Sequence, residues 1–345
     1  MNYSIDKDFL LKTLKDLLTT PSPSGYCQNI MKNIESIVDD LGYKLEYTKK
    51  GGGFIKVEGE DSSYTVGLSA HLDTLGGMVR SIKSTGMIRF TNIGGNLMPT
   101  LDGEYCTIHT RDGKEYSGTI LSTSPAVHVY KDAKDKERTE ENLEIRIDES
   151  VENKEDVEKL GIKVGDFISI DPKTTITESE FIKSRHIDDK GGTSCLLSLL
   201  KSFKDNEVKP KNNLILFIST FEEVGHGASY IPEEIDELLA VDMGCIGDDL
   251  TCTEKDVSIC VKDSSGPYDY DMTNKLIKLA KDNNLSHAVD IYPYYSSDAS
   301  AALRAGNNIK CALIGPGVHA SHGMERTHYD ALENTLKLLL SYVVN

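Results

Sequence analysis

The stretch Leu214-Ile-Leu-Phe-Ile-Ser-Thr-Phe-Glu222-Glu223-Val-Gly-His-Gly227 joins an apolar strand to two adjacent acids. A carboxylate that binds a metal and a carboxylate that moves a proton do different jobs, and two neighbours at a strand end can do both. For an isolated Glu-Glu pair, an exposed acidic turn is the ordinary interpretation. We favour the functional interpretation because other segments of the chain repeat the pattern of an apolar run followed by a ligand.

These other segments carry histidines or aspartates at or near the end of an apolar run or at a helix start. They are the run 64–70 before His71 and Asp73, the run 237–241 before Asp242, the run 309–314 before His319 and His322, and Asp188 ahead of the helical run 193–203. Open α/β sheets place their sites outside the carboxyl ends of the strands. We therefore expect these widely separated residues to be neighbours in space.

The order of the predicted elements indicates an α/β fold with an insertion. Helices and strands alternate in residues 1–74 and again in 178–345, whereas 75–177 holds short β-like runs, among them Ala126–Tyr130. Turn signals between those runs indicate a small all-β barrel or sandwich. We expect a catalytic domain in two parts, 1–74 and 178–345, interrupted by an inserted domain of 75–177.

Composition restricts the class of protein. The chain has 345 residues, 39% apolar and 27% charged, which is typical of a soluble globular protein of about two domains. We expect a cytoplasmic protein with no membrane span and no secretory signal. Seven cysteines without regular spacing indicate reduced thiols. A formal charge of −17 argues against nucleic acid or an anionic membrane as a partner.

Each candidate ligand has an ordinary structural alternative. His71 offers an imidazole, and the carboxylate of Asp73 could hold its second nitrogen. Asp188 could bridge two metals or cap the helix that follows; if it is a ligand, Asp189 is the expected cap. Asp242 ends an apolar run, and a buried charge there needs a partner.

The final loop offers three histidines, His319, His322 and His328, and spacing alone does not choose among them. Asp188, Glu223 and Asp242 supply three negative charges, which, with two neutral histidines, suit two divalent cations and a shared hydroxide. Glu222 would then take a proton from the water and pass it to the leaving amine.

Together these segments resemble one known family, the glutamyl or tetrahedral aminopeptidases of metallopeptidase family 42. The matching segments are His71-Leu-Asp73, Asp188-Asp-Lys-Gly-Gly, Glu222-Glu223-Val-Gly, Ala240-Val-Asp242 and Ser321-His322-Gly-Met-Glu-Arg. Ser297-Asp298-Ala299 is similar to that family's Thr-Asp-Ala element. Segments 111–120 and 161–166 resemble its PDZ-like dimerisation domain, so the resemblance covers nearly the whole chain.

The resemblance implies an α/β/α catalytic core of the zinc-aminopeptidase type, with a mixed sheet and an inserted PDZ-like domain. It implies two divalent ions per subunit, with zinc expected and cobalt or manganese as alternatives. Asp188 would bridge the ions, His71 and Asp242 would complete one site, and Glu223 and His322 the other. Glu222 would be the general base, Asp73 would orient His71, and Asp298 would shape the substrate-amine end. Peptides are the implied substrates, and dimers that build dodecamers are the implied assembly.

Two other functions remain open. A two-metal amidohydrolase of the carboxypeptidase or deacylase type shares the α/β core, although the β insertion and the Glu-Glu-Val-Gly context favour an aminopeptidase. A non-catalytic, metal-bearing scaffold that binds peptides would not require Glu222. The chain also departs from the family at Lys190, where an arginine is usual, and at Ala320–Gly323, and these departures concern substrate preference and assembly.

Overall fold

A computed structural model describes residues 3–345 of the protein. The helices of this part of the chain are α1 (Lys7–Thr19), α2 (Gln28–Asp40), α3 (Lys154–Leu160), α4 (Ile187–Asn206), α5 (Tyr270–Asp282), α6 (Asp298–Arg304) and α7 (Tyr329–Val344). No helix among them combines the length and apolar composition that crossing a membrane requires.

The strands fall into two halves of the sequence. The first nine are β1 (Leu45–Tyr47), β2 (Gly53–Val57), β3 (Asp61–His71), β4 (Gly76–Ile82), β5 (Ile88–Ile93), β6 (Tyr105–His109), β7 (Glu115–Ser122), β8 (Leu143–Ile147) and β9 (Phe167–Ile170). The others are β10 (Thr175–Ile176), β11 (Phe181–Ser184), β12 (Asn212–Ser219), β13 (Glu237–Val241), β14 (Gly244–Cys245), β15 (Val257–Asp263), β16 (Gly266–Pro267), β17 (His287–Ile291), β18 (Lys310–Val318) and β19 (Glu325–His328).

A ten-stranded mixed sheet forms the centre of the molecule. Its main path runs β1-β2-β12-β3-β13-β18-β15-β16, while β14 pairs with β18 and β17 pairs with β15. The central strands β12, β3, β13 and β18 are mutually parallel, and the flanking pairs β2/β12 and β15/β18 are antiparallel. This arrangement confirms the predicted mixed α/β fold.

Both faces of the sheet are buried, which explains why the central strands read as apolar runs. Along β12, Leu214, Leu216 and Ile218 point into one core, and Ile215 and Phe217 point into another. Successive side chains of a strand face opposite sides, so a strand covered on both faces shows no polar alternation. Helices α1, α2, α4, α5 and α7 cover the first face, and α6 packs on the second.

A second, smaller unit is the closed barrel of strands β4, β5, β8, β7, β6 and β9. It has an apolar core of its own, which includes Val79, Ile108 and Ile145. The barrel confirms the expectation of a small all-β unit between the two α/β segments of the chain. A third sheet has three strands in the order β10-β11-β19. Strands β10 and β11 follow the barrel directly in the sequence, and β19 precedes the last helix.

Two local predictions within the insertion differ from the structure. Ala126–Tyr130 is not a strand, because the backbone N–H groups of Val129 and Tyr130 both bond to the carbonyl of Ala126 and close a turn. Conversely, α3 is an unforeseen helix. Asn153 caps it by accepting a hydrogen bond from the Asp156 amide at 3.0 Å, and Gly161 ends it in the left-handed conformation.

The seven cysteines are free, and six of them are buried. Burial raises the pKa of Cys27 to about 12, because desolvation disfavours the thiolate. The six buried thiols therefore pack as small apolar groups.

Candidate active site

The carboxyl ends of the parallel strands bring the candidate residues together. His71 is the last residue of β3 and lies opposite Ser219, the last residue of β12. Glu222 and Glu223 follow β12 in a single 3-10 turn, and Asp242 follows β13. Because β12, β3 and β13 are adjacent and parallel, all three ends open on the same edge of the sheet.

Asp188 lies between two histidines. Its Oδ1 is 3.0 Å from Nε2 of His71, and its Oδ2 is 3.6 Å from Nε2 of His322. The side chain is almost fully buried at the start of α4. Asp189 accepts the amide of Gly192 at 3.0 Å, as expected of an N-cap, which leaves both oxygens of Asp188 free to face the histidines.

The adjacent glutamates point toward different histidines. Oε2 of Glu222 is 3.8 Å from Nε2 of His71, and Oε2 of Glu223 is 3.7 Å from Nε2 of His322. Ligand atoms of His71, Asp188 and Glu223 lie within 4.8 Å of one another. His71, Asp189 and Asp242 form a second group of this kind, which shares His71 with the first.

Asp73 makes a different contact from the one we expected. Nδ1 of His71 lies 3.0 Å from the backbone oxygen of Asp73, whereas the carboxylate Oδ1 is 3.7 Å away. The carboxylate instead accepts the backbone amides of Glu222 at 3.1 Å and Glu223 at 3.3 Å, and the hydroxyl of Ser24. Asp73 therefore holds the acidic turn, while its main chain faces the imidazole.

Glu325 is a site residue that sequence reasoning missed. Its buried carboxylate accepts the backbone amide of Asp188 at 3.1 Å and that of His322 at 3.1 Å. Asp189 acts similarly, since its Oδ2 accepts the amide of His71 at 3.1 Å. The available signal was the position of Glu325 inside the Ser-His-Gly-Met-Glu-Arg segment, three residues after His322.

Asp298 is buried but is not among the residues that line the cavity described below. One of its oxygens accepts the hydroxyl of Ser219, and the other accepts the amide of Ala228 at 2.7 Å. A Cβ on Gly227 would lie 2.3 Å from the same carboxylate. In the structure Asp298 thus fastens the loop that follows Glu223 to the end of β12.

The structure distinguishes among the three histidines of the final loop, which spacing along the chain could not do. Only His322 faces the acidic cluster, and its Nδ1 lies 2.8 Å from the carbonyl of Gly95. His328 caps α7 by accepting the amide of Asp330 at 3.0 Å. His319 pairs through its backbone with Arg326, and the residue is exposed.

The buried acids of the cluster repel one another. Burial raises the pKa of Glu222 and of Glu223 well above their usual range, and neighbouring carboxylates add to both shifts. Burial likewise raises the pKa of Asp242 to about 7. Burial by itself would lower the pKa of His71, but the hydrogen bond to Asp188 and the nearby acids outweigh it and raise that pKa well above its usual value. Divalent cations would relieve this repulsion.

The donor set fits such cations. Carboxylates and imidazoles are ligands that zinc accepts, and cobalt and manganese bind similar sets. Asp188 presents one oxygen to each histidine, which is the arrangement required of a carboxylate shared by two ions. We therefore regard the residues present as suited to hold metal.

A cavity of about 560 Å³ opens onto this cluster. Its lining includes the charged or ionisable residues Asp188, Glu222, Glu223, Asp242 and His322. Such a volume accommodates the end of a peptide or another small ligand.

The chain is similar in sequence to proteins of one known family. A sequence model of the M42 glutamyl aminopeptidase family matches residues 51–338. A protein of Bacillus subtilis (strain 168) named "Putative aminopeptidase YhfE" is 47% identical over 334 residues, which cover 96% of each chain.

Solved structures show the same fold. The TET aminopeptidase from the marine sediment archaeon Thaumarchaeota archaeon SCGC AB-539-E09 has a TM-score of 0.88 at 19% identity and covers 97% of both chains. The Pyrococcus horikoshii TET1 peptidase, described as able to assemble into a tetrahedron or a large octahedral shell, has a TM-score of 0.85 at 23% identity. It covers 97% of this chain and 99% of its own. With the family model spanning most of its length, this chain belongs to the M42 glutamyl aminopeptidase family and is a peptide hydrolase.

Proposed function

We propose that the protein is a metal-dependent aminopeptidase that removes N-terminal residues from peptides. Membership of the M42 family supports peptide hydrolysis. The observation that carries the finer proposal is the position of Asp188, whose two oxygens face His71 and His322 as a carboxylate shared by two cations would.

Two divalent ions per subunit would be held by Asp188 between them, by His71 and Asp242 on one side, and by Glu223 and His322 on the other. Zinc is the expected metal, and cobalt or manganese would suit the same donors. Bound there, the ions would lower the pKa of water and polarise the scissile carbonyl.

In this proposal Glu222 is the general base. It lies beside the cluster, yet the ligand set is complete without it, so its carboxylate is free to accept a proton from the attacking water and pass it to the leaving amine. Burial raises the pKa of Glu222, and a raised pKa suits a carboxylate that must both take and release a proton near neutral pH. Asp73 would keep Glu222 in place through its backbone amide. Asp298 stays a prediction as a substrate-binding residue.

We extend the proposal to the architecture. Residues 1–74 and 178–345 would form the catalytic domain, and 75–177 would form an inserted dimerisation domain of the PDZ-like type. The assembly described for the Pyrococcus horikoshii relative supports a large homo-oligomer. Sedimentation velocity should then give a particle twelve times the mass of the chain. A single monomeric species at micromolar concentration would contradict this part of the proposal.

The alternative enzyme is a two-metal amidohydrolase of the carboxypeptidase or deacylase type. Such an enzyme requires a blocked amine or a free carboxyl terminus, whereas an aminopeptidase requires a free amine. Aminoacyl anilides with a free N-terminus, tested beside N-acylated amino acids, separate the two. Turnover of the acylated set alone would replace our proposal, and peptide binding without turnover of either set would indicate a non-catalytic scaffold.

The decisive variant is Glu222→Gln, which keeps the shape of the side chain but removes the base. We expect a folded protein that retains two metal ions per chain by elemental analysis and loses at least about 10²-fold in kcat. Glu141→Gln is the matched control, because Glu141 is an exposed acid of the barrel and should leave kcat unchanged. Full activity of metal-loaded Glu222→Gln would remove Glu222 from the mechanism.

A further inference from the structure

The loop after β12, residues 220–229, carries the adjacent glutamates near its start, and its outer part, residues 224–226, is exposed. Two buried carboxylates, those of Asp73 and Asp298, hold this loop by accepting backbone amides. A carboxylate accepts hydrogen bonds but donates none, so it cannot hold the backbone carbonyls of the loop. Those carbonyls need a donor from another part of the chain.

Lys50 supplies that donor. Its ammonium donates to the backbone carbonyls of His226 and Gly227, the latter at 3.0 Å. It also donates to the hydroxyl of Ser229 at 3.1 Å. An ammonium has three N–H donors, so all the hydrogen bonds that Lys50 can donate from its side chain go to this one loop. The same ammonium lies 5.9 Å from the ring centroid of Phe221.

The backbone of Lys50 is fixed against the end of β12. Lys50 lies in the turn between β1 and β2, which is closed by a hydrogen bond from the amide of Thr48 to the carbonyl of Gly52 at 2.8 Å. A Cβ on Gly52 would lie 2.5 Å from the carbonyl oxygen of Ile218 in β12, so the turn packs closely on that strand. Lys50 therefore joins the strand from which the loop starts to the far side of the same loop.

The charge of Lys50 suits this position. Burial lowers the pKa of Lys50, and the negative charges of Asp298 and Asp73 oppose that shift. No lysine or arginine nitrogen among residues 3–345 lies within 4.0 Å of either carboxylate. The ammonium therefore attracts, from a longer distance, the two buried acids that hold the loop from its inner side.

We infer that Lys50 is a positioning residue for the proposed general base Glu222, because it closes the loop from outside and so keeps that carboxylate beside the metal-binding side chains. Lys50 does not line the cavity at the acidic cluster, so it acts through the loop and not on the substrate. This assignment rests on the proposed function and on the role of Glu222 in it.

The first test compares Lys50→Met with Lys49→Met. Methionine keeps an apolar stem and removes the ammonium, and Lys49 is the exposed neighbour of Lys50 in the same turn. We expect both variants to fold and to retain two metal ions per chain. In Lys50→Met kcat should fall about tenfold, because the base is displaced, while KM stays within about twofold. A kcat equal to that of Lys49→Met, or a loss confined to KM, would overturn the assignment.

The second test asks whether Lys50 acts through Glu222. Displacement of the base matters only while the base is present, so Lys50→Met combined with Glu222→Gln should have the kcat of Glu222→Gln alone within about twofold. A further tenfold loss in the double variant would show that Lys50 acts through another group and would overturn the assignment. Full activity of Glu222→Gln would overturn both the assignment and the proposed mechanism.

Hydrogen exchange of the metal-loaded protein gives a readout that is independent of catalysis. The amides of Gly225 and His226 bond to carbonyls within the loop. We expect them to exchange at least about fivefold faster in Lys50→Met than in Lys49→Met, because the loop opens more often without its outer contact. The amides of β13 should exchange at an unchanged rate. Equal exchange of the loop amides in the two variants would overturn the assignment.

Discussion

At the scale of single residues, the buried carboxylates of this site fall into two groups that make different contacts. Asp188, Glu223 and Asp242 belong to the groups of side chains that could hold a cation, whereas Glu325 and Asp73 face backbone amides. A carboxylate that accepts two N–H groups fixes the segments that carry them, because each charge-assisted bond is directional and stronger than a neutral one. The geometry of the first group therefore depends on the second.

Glu325 provides the test of this dependence. In Glu325→Gln an amide NH₂ replaces one of the oxygens that accept the Asp188 and His322 amides, so one attractive contact becomes a clash of two donors. We expect the affinity of the metal-free protein for zinc to fall about 10- to 100-fold, the scale reported by substitutions behind metal ligands. Calorimetric titration of the metal-free variant measures the change.

Glu141→Gln again serves as the control for charge, since that acid is exposed on the barrel. Zinc affinity of Glu325→Gln equal to that of the control would show that Glu325 does not position the two segments. Loss of folding can be recognised separately from the far-ultraviolet circular dichroism of the metal-free protein.

At the scale of secondary structure, close contact between strands sets the position of Asp242. The amide of Asp242 donates to the carbonyl of Ile314 in β18 at 2.8 Å, which continues the pairing of β13 beyond its last residue. A Cβ on Gly315 would lie 1.8 Å from the carbonyl oxygen of Asp242. A glycine is therefore required where the two strand ends approach.

Gly315→Ala should force β13 and β18 apart at their carboxyl ends. We expect the free energy of unfolding to fall by at least about 1–3 kcal/mol, because backbone atoms cannot move aside as a flexible side chain can. Gly247→Ala is the control, since a Cβ on Gly247 meets nothing within 4 Å and should change stability by less than about 0.5 kcal/mol. Calorimetry of thermal unfolding measures the stability of both variants. Equal stability of Gly315→Ala and Gly247→Ala would contradict the requirement for glycine at position 315.

At the scale of the whole molecule, the barrel completes the candidate site. The connection between β5 and β6 lies against the loop that carries His322. The ring of His322 contacts the carbonyl of Gly95, and the backbone carbonyl of His322 accepts the amide of Leu97 at 3.2 Å. Gly95, Asn96 and Leu97 also line the cavity. The insertion thus supplies part of the wall and holds one histidine in orientation.

This contact predicts that metal removal loosens the barrel connection. Without a cation to hold the other ring nitrogen, His322 should become more mobile, and the Leu97 amide should exchange its hydrogen faster. Hydrogen exchange measured by mass spectrometry with and without chelator tests this. The amide of Ile120, which bonds to Glu104 inside the barrel, should exchange at an unchanged rate; equal protection of Leu97 in both states would argue against the coupling.

Much of the fold and of the candidate site could be predicted from the sequence, because the sequence patterns that indicate them are local. The apolar runs, which end in His71, Glu222 and Asp242, identify buried strands, and strand ends in an α/β sheet converge by rule. The change to short β-like runs after residue 75 likewise predicted the barrel. Where the local signal misled, as in Ala126–Tyr130, alternation of apolar residues was present but a partner strand was not.

The sequence by itself determined the composition of the site: which residue types are available, and that they follow strands. Only the tertiary structure decided which histidine faces the cluster, that Asp73 and Glu325 bind backbone amides, and that the barrel contributes Gly95 and Leu97. The physical reason is that a motif records spacing along the chain, whereas a hydrogen bond depends on the distance and direction between groups that folding brings from far apart.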